Sequence, residues 1–224
     1  MKLTVIGCHG PYALNKGEAT SCYYVETKYG NFALDFGSGA MANLGKDRIK
    51  KLDYIFLSHL HFDHVSDLLP LRYLLADLGK SVTIITEKAE GDWYEILTNN
   101  PHFKVVNVSD KESVNIEGLT LTFFRTKHPV NNLGVRIKED KTLVYTGDTS
   151  YYIGIENDVK DADLVLIDGV QEDGFKGPHL TSEKAIKLQE KVGGKFVLTH
   201  KNSYELVSTN SEISIAEEMA EYEV

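Results

Sequence analysis

Residues 59–64 read His-Leu-His-Phe-Asp-His, which places four metal-binding side chains within six positions. Histidine is uncommon, and the whole chain of 224 residues has only eight. Neutral imidazoles and carboxylates are ligands that suit zinc. On a tight loop, the alternate spacing lets His59 and His61 face one ion, while Asp63 and His64 face a second. The alternative is a polar surface turn that is rich in histidine by chance.

An apolar strand pattern ends at each of three candidate ligands, His59, Asp148 and His200. Loops at the carboxyl ends of neighbouring strands converge on one crevice, and rigid strands position ligands accurately. One such ending could be chance, but three are hard to explain by packing. The pattern therefore predicts that these side chains are metal ligands.

The remaining pattern is that of one domain, 1–224, with strands in both halves and helices to cover the sheets. Residues 21–36 predict a hairpin that turns at Tyr29 and Gly30. Leucines at helical spacing predict one helix over 65–78, and a second is predicted over 182–192. Little of a closing helix is visible after residue 200.

Composition narrows the class of protein. No apolar run approaches the roughly 20 residues that span a bilayer, so we expect no membrane segment. The two cysteines, Cys8 and Cys22, are too few for a disulfide framework, so we expect small buried side chains in a cytoplasmic protein. A formal net charge of −9 opposes non-specific binding to nucleic acid.

The H-x-H-x-D-H string after an apolar strand resembles the metal motif of the metallo-β-lactamase superfamily. His128 in Thr-Lys-His-Pro-Val, Asp148 in Tyr-Thr-Gly-Asp-Thr and His200 in Leu-Thr-His resemble its later motifs, in the same order. Asp35 in Leu-Asp-Phe-Gly-Ser-Gly resembles the aspartate that braces the metal loop in this superfamily. The resemblance covers nearly the whole chain. It implies an α+β fold, the αββα four-layer sandwich known as the metallo-β-lactamase fold.

The resemblance also implies two divalent metal ions, zinc in the first place and Mn²⁺ or Fe²⁺ as alternatives. Asp148 would bridge both ions, and a hydroxide shared between them would be the nucleophile. Asp63 and Asp148 are thus counted among the catalytic residues as well as the ligands. The implied ligands are His59, His61 and His128 for the first ion, and Asp63, His64 and His200 for the second.

Two contexts are similar to the ribonuclease Z-like phosphodiesterase branch of the superfamily. One is the sequence around His128. The other is His179-Leu180-Thr181, which resembles an extra histidine motif that helps the leaving group depart. A surface histidine with no role is the alternative for His179. Unlike transfer-RNA-processing members, the chain has only 19 residues between His128 and Asp148, which leaves no room for the long RNA-binding arm.

We therefore expect a binuclear hydrolase of small or cyclic phosphodiesters, resembling compact bacterial members of this branch. Transfer RNA and other nucleic acids are not expected as substrates, and homodimer formation is implied only as a habit of the family. The alternative enzyme is a thioester or lactone hydrolase of glyoxalase II type. A non-enzymatic diiron redox protein is disfavoured, because that branch usually has Glu at the position of His61.

Overall fold

The structure is a computed structural model that describes residues 1–201 and 210–224. It contains two compact units, one made of residues 1–109 and 217–223, the other of residues 110–216 and 224. The single domain expected from the chain length stays a prediction. Among the described residues, no helix has the length and apolar character required to cross a membrane.

The strands and helices of the described residues are numbered in chain order. The strands are β1 (Lys2–Gly7), β2 (Cys22–Thr27), β3 (Gly30–Leu34), β4 (Leu52–Phe56), β5 (Val82–Glu87), β6 (Phe103–Val108), β7 (Ser113–Ile116), β8 (Leu119–Arg125), β9 (Leu133–Lys138), β10 (Thr142–Tyr145), β11 (Leu164–Asp168), β12 (Lys195–Thr199), β13 (Ile213–Ile215) and β14 (Glu221–Glu223). The helices are α1 (Ala40–Lys51), α2 (Phe62–Val65), α3 (Leu68–Asp77), α4 (Asp92–Thr98), α5 (Ile155–Val159) and α6 (Ser182–Val192).

The first unit has one seven-stranded sheet in the order β14-β1-β2-β3-β4-β5-β6. Strands β14 to β3 of this order pair antiparallel, and β3 to β6 pair parallel. Parallel neighbours need crossover connections, and helices α1 to α4 supply them. Leu68, Leu71 and Leu75 of α3 are buried at helical spacing and join the core of this unit. The apolar strand β4 runs through the middle of the parallel part, so it carries the loop that follows Leu57 on a rigid support.

The second unit has its own seven-stranded sheet, in the order β13-β12-β11-β10-β9-β8-β7. Strands β7 to β10 pair antiparallel, and β10 to β13 pair parallel. Helix α5 connects β10 to β11, and α6 connects β11 to β12. The buried side chains of these helices, among them Ile155 and Leu188, belong to a core confined to this unit. The carboxyl ends of β10, β11 and β12 therefore lie side by side, since these strands are parallel neighbours.

Most elements predicted from the sequence are confirmed. The hairpin is β2–β3, and α6 has the predicted bounds. The helix predicted over 65–78 is confirmed as α3, but its predicted start is wrong, because Val65 ends the separate helix α2 and α3 begins at Leu68. Asp67 precedes α3 without capping it, and its carboxylate instead accepts a hydrogen bond from the Met41 N–H at 2.9 Å.

Two further expectations concern the cysteines and the chain after residue 200. Cys8 and Cys22 are both buried and form no disulfide, as expected. Residues 210–224 form the short strands β13 and β14 and, within that described stretch, no helix. The intervening residues 202–209 lie outside the described part of the chain.

Candidate metal centre

The loop after β4 concentrates the ligand atoms of the first unit. His59 Nε2 lies 2.9 Å from His61 Nδ1, and His64 Nε2 lies 3.5 Å from Asp63 Oδ2. The single turn of α2 brings Asp63 and His64 to the same side of the loop as His59, whose ring centre is 4.2 Å from that of His64. His59, Asp63 and His64 are buried. All four residues of the sequence cluster thus come together, as nitrogen and oxygen donors suited to a transition metal.

The Asp35 carboxylate holds the candidate ligands His59 and His64 through hydrogen bonds. It accepts hydrogen bonds from the Ser58 N–H at 2.7 Å, the Ser58 hydroxyl at 2.8 Å and His64 Nδ1–H at 2.6 Å. Because the hydroxyl donates to the carboxylate, the 3.0 Å contact between Ser58 Oγ and His59 Nδ1 is a hydrogen bond donated by the imidazole. Asp35 therefore holds His64 directly and His59 through Ser58, and in both rings it leaves Nε2 as the ligand atom.

Backbone geometry at two positions permits this bracing. Asp35 has a φ of 58°, in the left-handed region that aspartate tolerates better than most residues. At Gly37, a Cβ would lie 2.0 Å from the carbonyl oxygen of Asp63, so only glycine lets this loop approach so closely. Bringing the metal loop and Asp35 together thus depends on these two residues.

The second unit contributes ligands from three elements. Asp148 follows β10, His200 follows β12, and His128 follows β8. Asp148 Oδ2 lies 3.2 Å from His200 Nε2 and 3.9 Å from His128 Nε2, and all three side chains are nearly inaccessible to solvent. His200 has a φ of 61°, a strained backbone conformation of the kind that persists at functional sites. The three predicted ligands therefore do come together, with one carboxylate oxygen facing two imidazole nitrogens.

Asn132 was not singled out in the sequence, yet it fixes the loop that carries Asp148. Its buried amide donates to the carbonyl oxygens of Thr146 at 3.1 Å and Asp148 at 3.0 Å, and it also contacts the hydroxyl of Thr126. The Thr126 hydroxyl donates to the same Asp148 carbonyl at 3.2 Å. The ligand therefore stands on a backbone held by side chains from a neighbouring loop.

His179 is part of a second carboxylate–histidine pair. Its Nδ1–H donates to Asp168 Oδ2 at 2.8 Å, and the same oxygen accepts the Thr149 N–H at 2.9 Å. The His179 ring stacks on that of His200 at 4.3 Å between centres. Burial raises the pKa of Asp168, and the hydrogen bond from His179 opposes that shift. Like Asn132, Asp168 was not singled out in the sequence, although it ends β11 just as other site residues follow their strands.

The donor set of each unit fits a divalent metal ion. Borderline ions such as zinc favour imidazole nitrogens and carboxylate oxygens, and two ligand histidines are oriented by groups on their other nitrogen. The first unit supplies His59, His61, Asp63 and His64, and the second supplies His128, Asp148 and His200. The sharing of metal ions by the two sets stays a prediction.

Comparison with known proteins shows which family the chain belongs to. The family model described as "Beta-lactamase superfamily domain" matches residues 34–200, which include every candidate ligand. The Probable metallo-hydrolase YhfI of Bacillus subtilis is 33% identical over 212 residues, which cover 89% of this chain and 86% of that protein.

Solved structures of several proteins are similar to this chain in fold. The metallo-beta-lactamase fold protein YhfI from Bacillus subtilis matches with a TM-score of 0.89 and 28% identity, over 99% of this chain and 98% of that one. Human tRNase Z, short form, has a TM-score of 0.82 at 19% identity and covers 100% and 99% of the two chains. A diphosphatase from the PhnP family has a TM-score of 0.78 at 17% identity and covers 100% and 97%. The predicted fold is thereby confirmed.

Proposed function

The chain belongs to the beta-lactamase superfamily, and on that premise we propose that it is a binuclear metal-dependent hydrolase of small phosphodiesters. Two ions, with zinc as the first choice, would share the ligands of the two units. Seven ligand side chains are too many for one tetrahedral ion. Asp148 would supply the negative charge between two cations, which matches its position facing both His128 and His200.

The observation that favours a phosphodiester is the Asp168–His179 pair. Departure of an alkoxide from phosphorus leaves a strongly basic oxygen, which a positioned proton donor relieves. His179 retains 15% side-chain exposure, whereas the side chains of His128 and His200 are 2% and 3% exposed. A histidine that is braced like a ligand but still reaches solvent is suited to moving a proton. A thiolate leaving group needs no such donor, so the pair favours a phosphodiester over the alternative, a thioester.

When bound, the metal ions supply Lewis acidity and a water molecule with a lowered pKa. His179 Nε2–H donates its proton to the departing oxygen as the P–O bond breaks. Asp168 keeps the ring in place through Nδ1–H and offsets its positive charge. Thr149 fixes Asp168 in turn through its backbone N–H, so the donor is aimed before the substrate binds.

The proposed substrate is small, for two reasons. The formal charge of −9 gives no general attraction to a long polyanion, and the segment between His128 and Asp148 holds strands β9 and β10 and no arm. The solved relatives include a tRNase Z and a diphosphatase, so both substrate sizes occur on this fold. The compact segment favours the smaller one here.

A substrate panel tests the proposal. We expect zinc-loaded protein to contain two metal ions per chain and to hydrolyse bis-p-nitrophenyl phosphate, with no accurate 3′ processing of precursor transfer RNA. Thioesters and lactones serve as the competing substrates, and His102→Ala as the control for a histidine outside the site. A thioester or lactone turned over far faster than every diester would overturn the substrate class. One metal ion or none in reloaded protein would overturn the binuclear centre.

A further inference from the structure

A cavity of about 640 Å³ in the second unit has His128 and His179 in its wall. Its other lining residues come from three segments, around Lys127, around Tyr151 and over 175–178, together with Lys184 of α6. The proton donor proposed above thus opens into a space large enough for a substantial chemical group.

The cavity is positively charged, unlike the chain as a whole. Lys127, Lys176 and Lys184 line it, and among the residues that the structure describes no Asp or Glu does so. All three lysines are exposed, and among residues 1–201 and 210–224 none of them forms an ion pair. Nearby Lys187 and Lys191, by contrast, are paired with Glu183 and Glu156. In a chain of net charge −9, three lysines around one cavity that make no ion pair among the described residues favour an anionic ligand.

Two aromatic side chains give the cavity a second property. Phe175 is 37% exposed and Tyr151 is 41% exposed, and both line the cavity. The Phe175 ring centre lies 6.3 Å from that of His179. A Cβ on Gly177 would lie 2.2 Å from the Phe175 ring, so glycine at 177 is what allows the ring to fold back over the loop. Exposed rings next to cations are a combination that binds planar, negatively charged groups.

We propose that this lysine-lined cavity is the leaving-group subsite, and that the leaving group carries a planar ring and a phosphate of its own, as a phosphorylated nucleoside does. The assignment rests on the proposed function for the position of the scissile ester. Phe175 and Tyr151 would stack on the ring, and Lys176 and Lys184 would bind the extra phosphate. His179, in the wall between ring and metal ligands, would meet the ester oxygen.

Binding of fragments tests the subsite without any turnover. Isothermal titration of metal-loaded protein with thymidine 5′-monophosphate and with thymidine separates the phosphate from the ring. We expect Lys176→Gln/Lys184→Gln to weaken monophosphate binding about ten-fold and to leave thymidine binding unchanged, because two exposed charge pairs are lost. The Arg/Arg double variant should retain monophosphate binding. Lys187→Gln, on the same helix but paired with Glu183, is the charge-matched control.

A variant of Phe175 tests the proposed stacking on the planar ring of the ligand. Phe175→Leu should weaken binding of both thymidine and its monophosphate about ten-fold, because base–aromatic stacking is lost. Equal binding of monophosphate by the wild type and the Gln/Gln variant would overturn the subsite, as would full thymidine binding by Phe175→Leu. Bis-p-nitrophenyl phosphate turnover separates the two proposals. Normal turnover with failed fragment binding rejects the subsite alone, and the expected fragment binding with no diester turnover rejects the proposed function alone.

Discussion

The two units each contain a buried carboxylate that accepts Nδ1–H of a histidine, Asp35 with His64 and Asp168 with His179. The distances, 2.6 and 2.8 Å, are similar, and both carboxylates are fully buried. The surroundings of the histidines differ. His64 has no solvent exposure, while His179 is 15% exposed and lines an open cavity.

In the proposed function, this difference in exposure gives the same carboxylate–histidine pair two different roles. A carboxylate behind a histidine fixes the ring and its tautomer, whatever the outer nitrogen then does. In the proposed function, a pair whose outer nitrogen is enclosed beside other candidate ligand atoms, as for His64 beside Asp63, would hold a metal ion rigidly. A pair whose outer nitrogen faces a cavity would donate a proton. Variants of the two pairs should therefore affect different measurements.

The largest effect is expected for His179→Ala. Turnover of diesters with alkoxide leaving groups should fall about 10²–10⁴-fold, the usual contribution of a general acid. Diesters with p-nitrophenolate, which leaves without a proton, should be affected much less. Metal content should stay at the wild-type value, because His179 is not among the proposed ligands.

The dependence on leaving-group pKa distinguishes the roles of His179. A ligand lost from the centre would lower metal occupancy and reduce turnover of both substrate classes together. Small, equal effects on both substrate classes with full metal occupancy would show that His179 is a surface residue without a catalytic role. His102→Ala controls for the loss of a histidine elsewhere. The Nδ1 of His102 contacts the backbone carbonyl of Lys80.

The second prediction concerns Asp35→Asn, which should weaken metal binding about 10–100-fold, the usual cost of removing a group behind a metal ligand. Asparagine tolerates the positive φ of position 35, so the substitution tests the charge and not the backbone. Chelator competition measures the affinity, and the thermal midpoint of the metal-free protein checks folding. Asp168→Asn is the matched control, expected to lower turnover of alkoxide diesters with much less effect on metal affinity. Equal losses of affinity in both variants would mean that the two pairs have the same role.

The candidate ligands could be singled out from the sequence because rare side-chain types follow apolar strands or cluster in one loop. Asp168 and Asn132 could not, since a single Asp or Asn near a turn is ordinary and only tertiary contacts give these residues a role. Short elements were also missed. Helix α5 and strands β13 and β14 have five, three and three residues, too few to show a hydrophobic period. The break between α2 and α3 was also missed, and the Asp67 carboxylate at that break accepts the N–H of Met41, 26 positions away.

The smallest effect, and the finest test of the bracing, is expected for Ser58→Ala. Its hydroxyl lies between His59 Nδ1 at 3.0 Å and Asp35 Oδ2 at 2.8 Å, so its removal releases His59 and leaves the Asp35–His64 bond in place. The backbone N–H of residue 58 still donates to Asp35, which keeps the carboxylate positioned. The substitution removes two hydrogen bonds of the hydroxyl, but only the neutral one from His59 holds a candidate ligand. One such bond contributes about 0.5–1.5 kcal/mol, which corresponds to roughly two- to ten-fold in metal affinity. Ser66→Ala, which removes a hydroxyl from the exposed side of the same loop, is the control and should bind metal like the wild type. If Ser58→Ala weakened binding as much as Asp35→Asn, His59 would be the ligand that depends on Asp35, and the direct pair with His64 would contribute little.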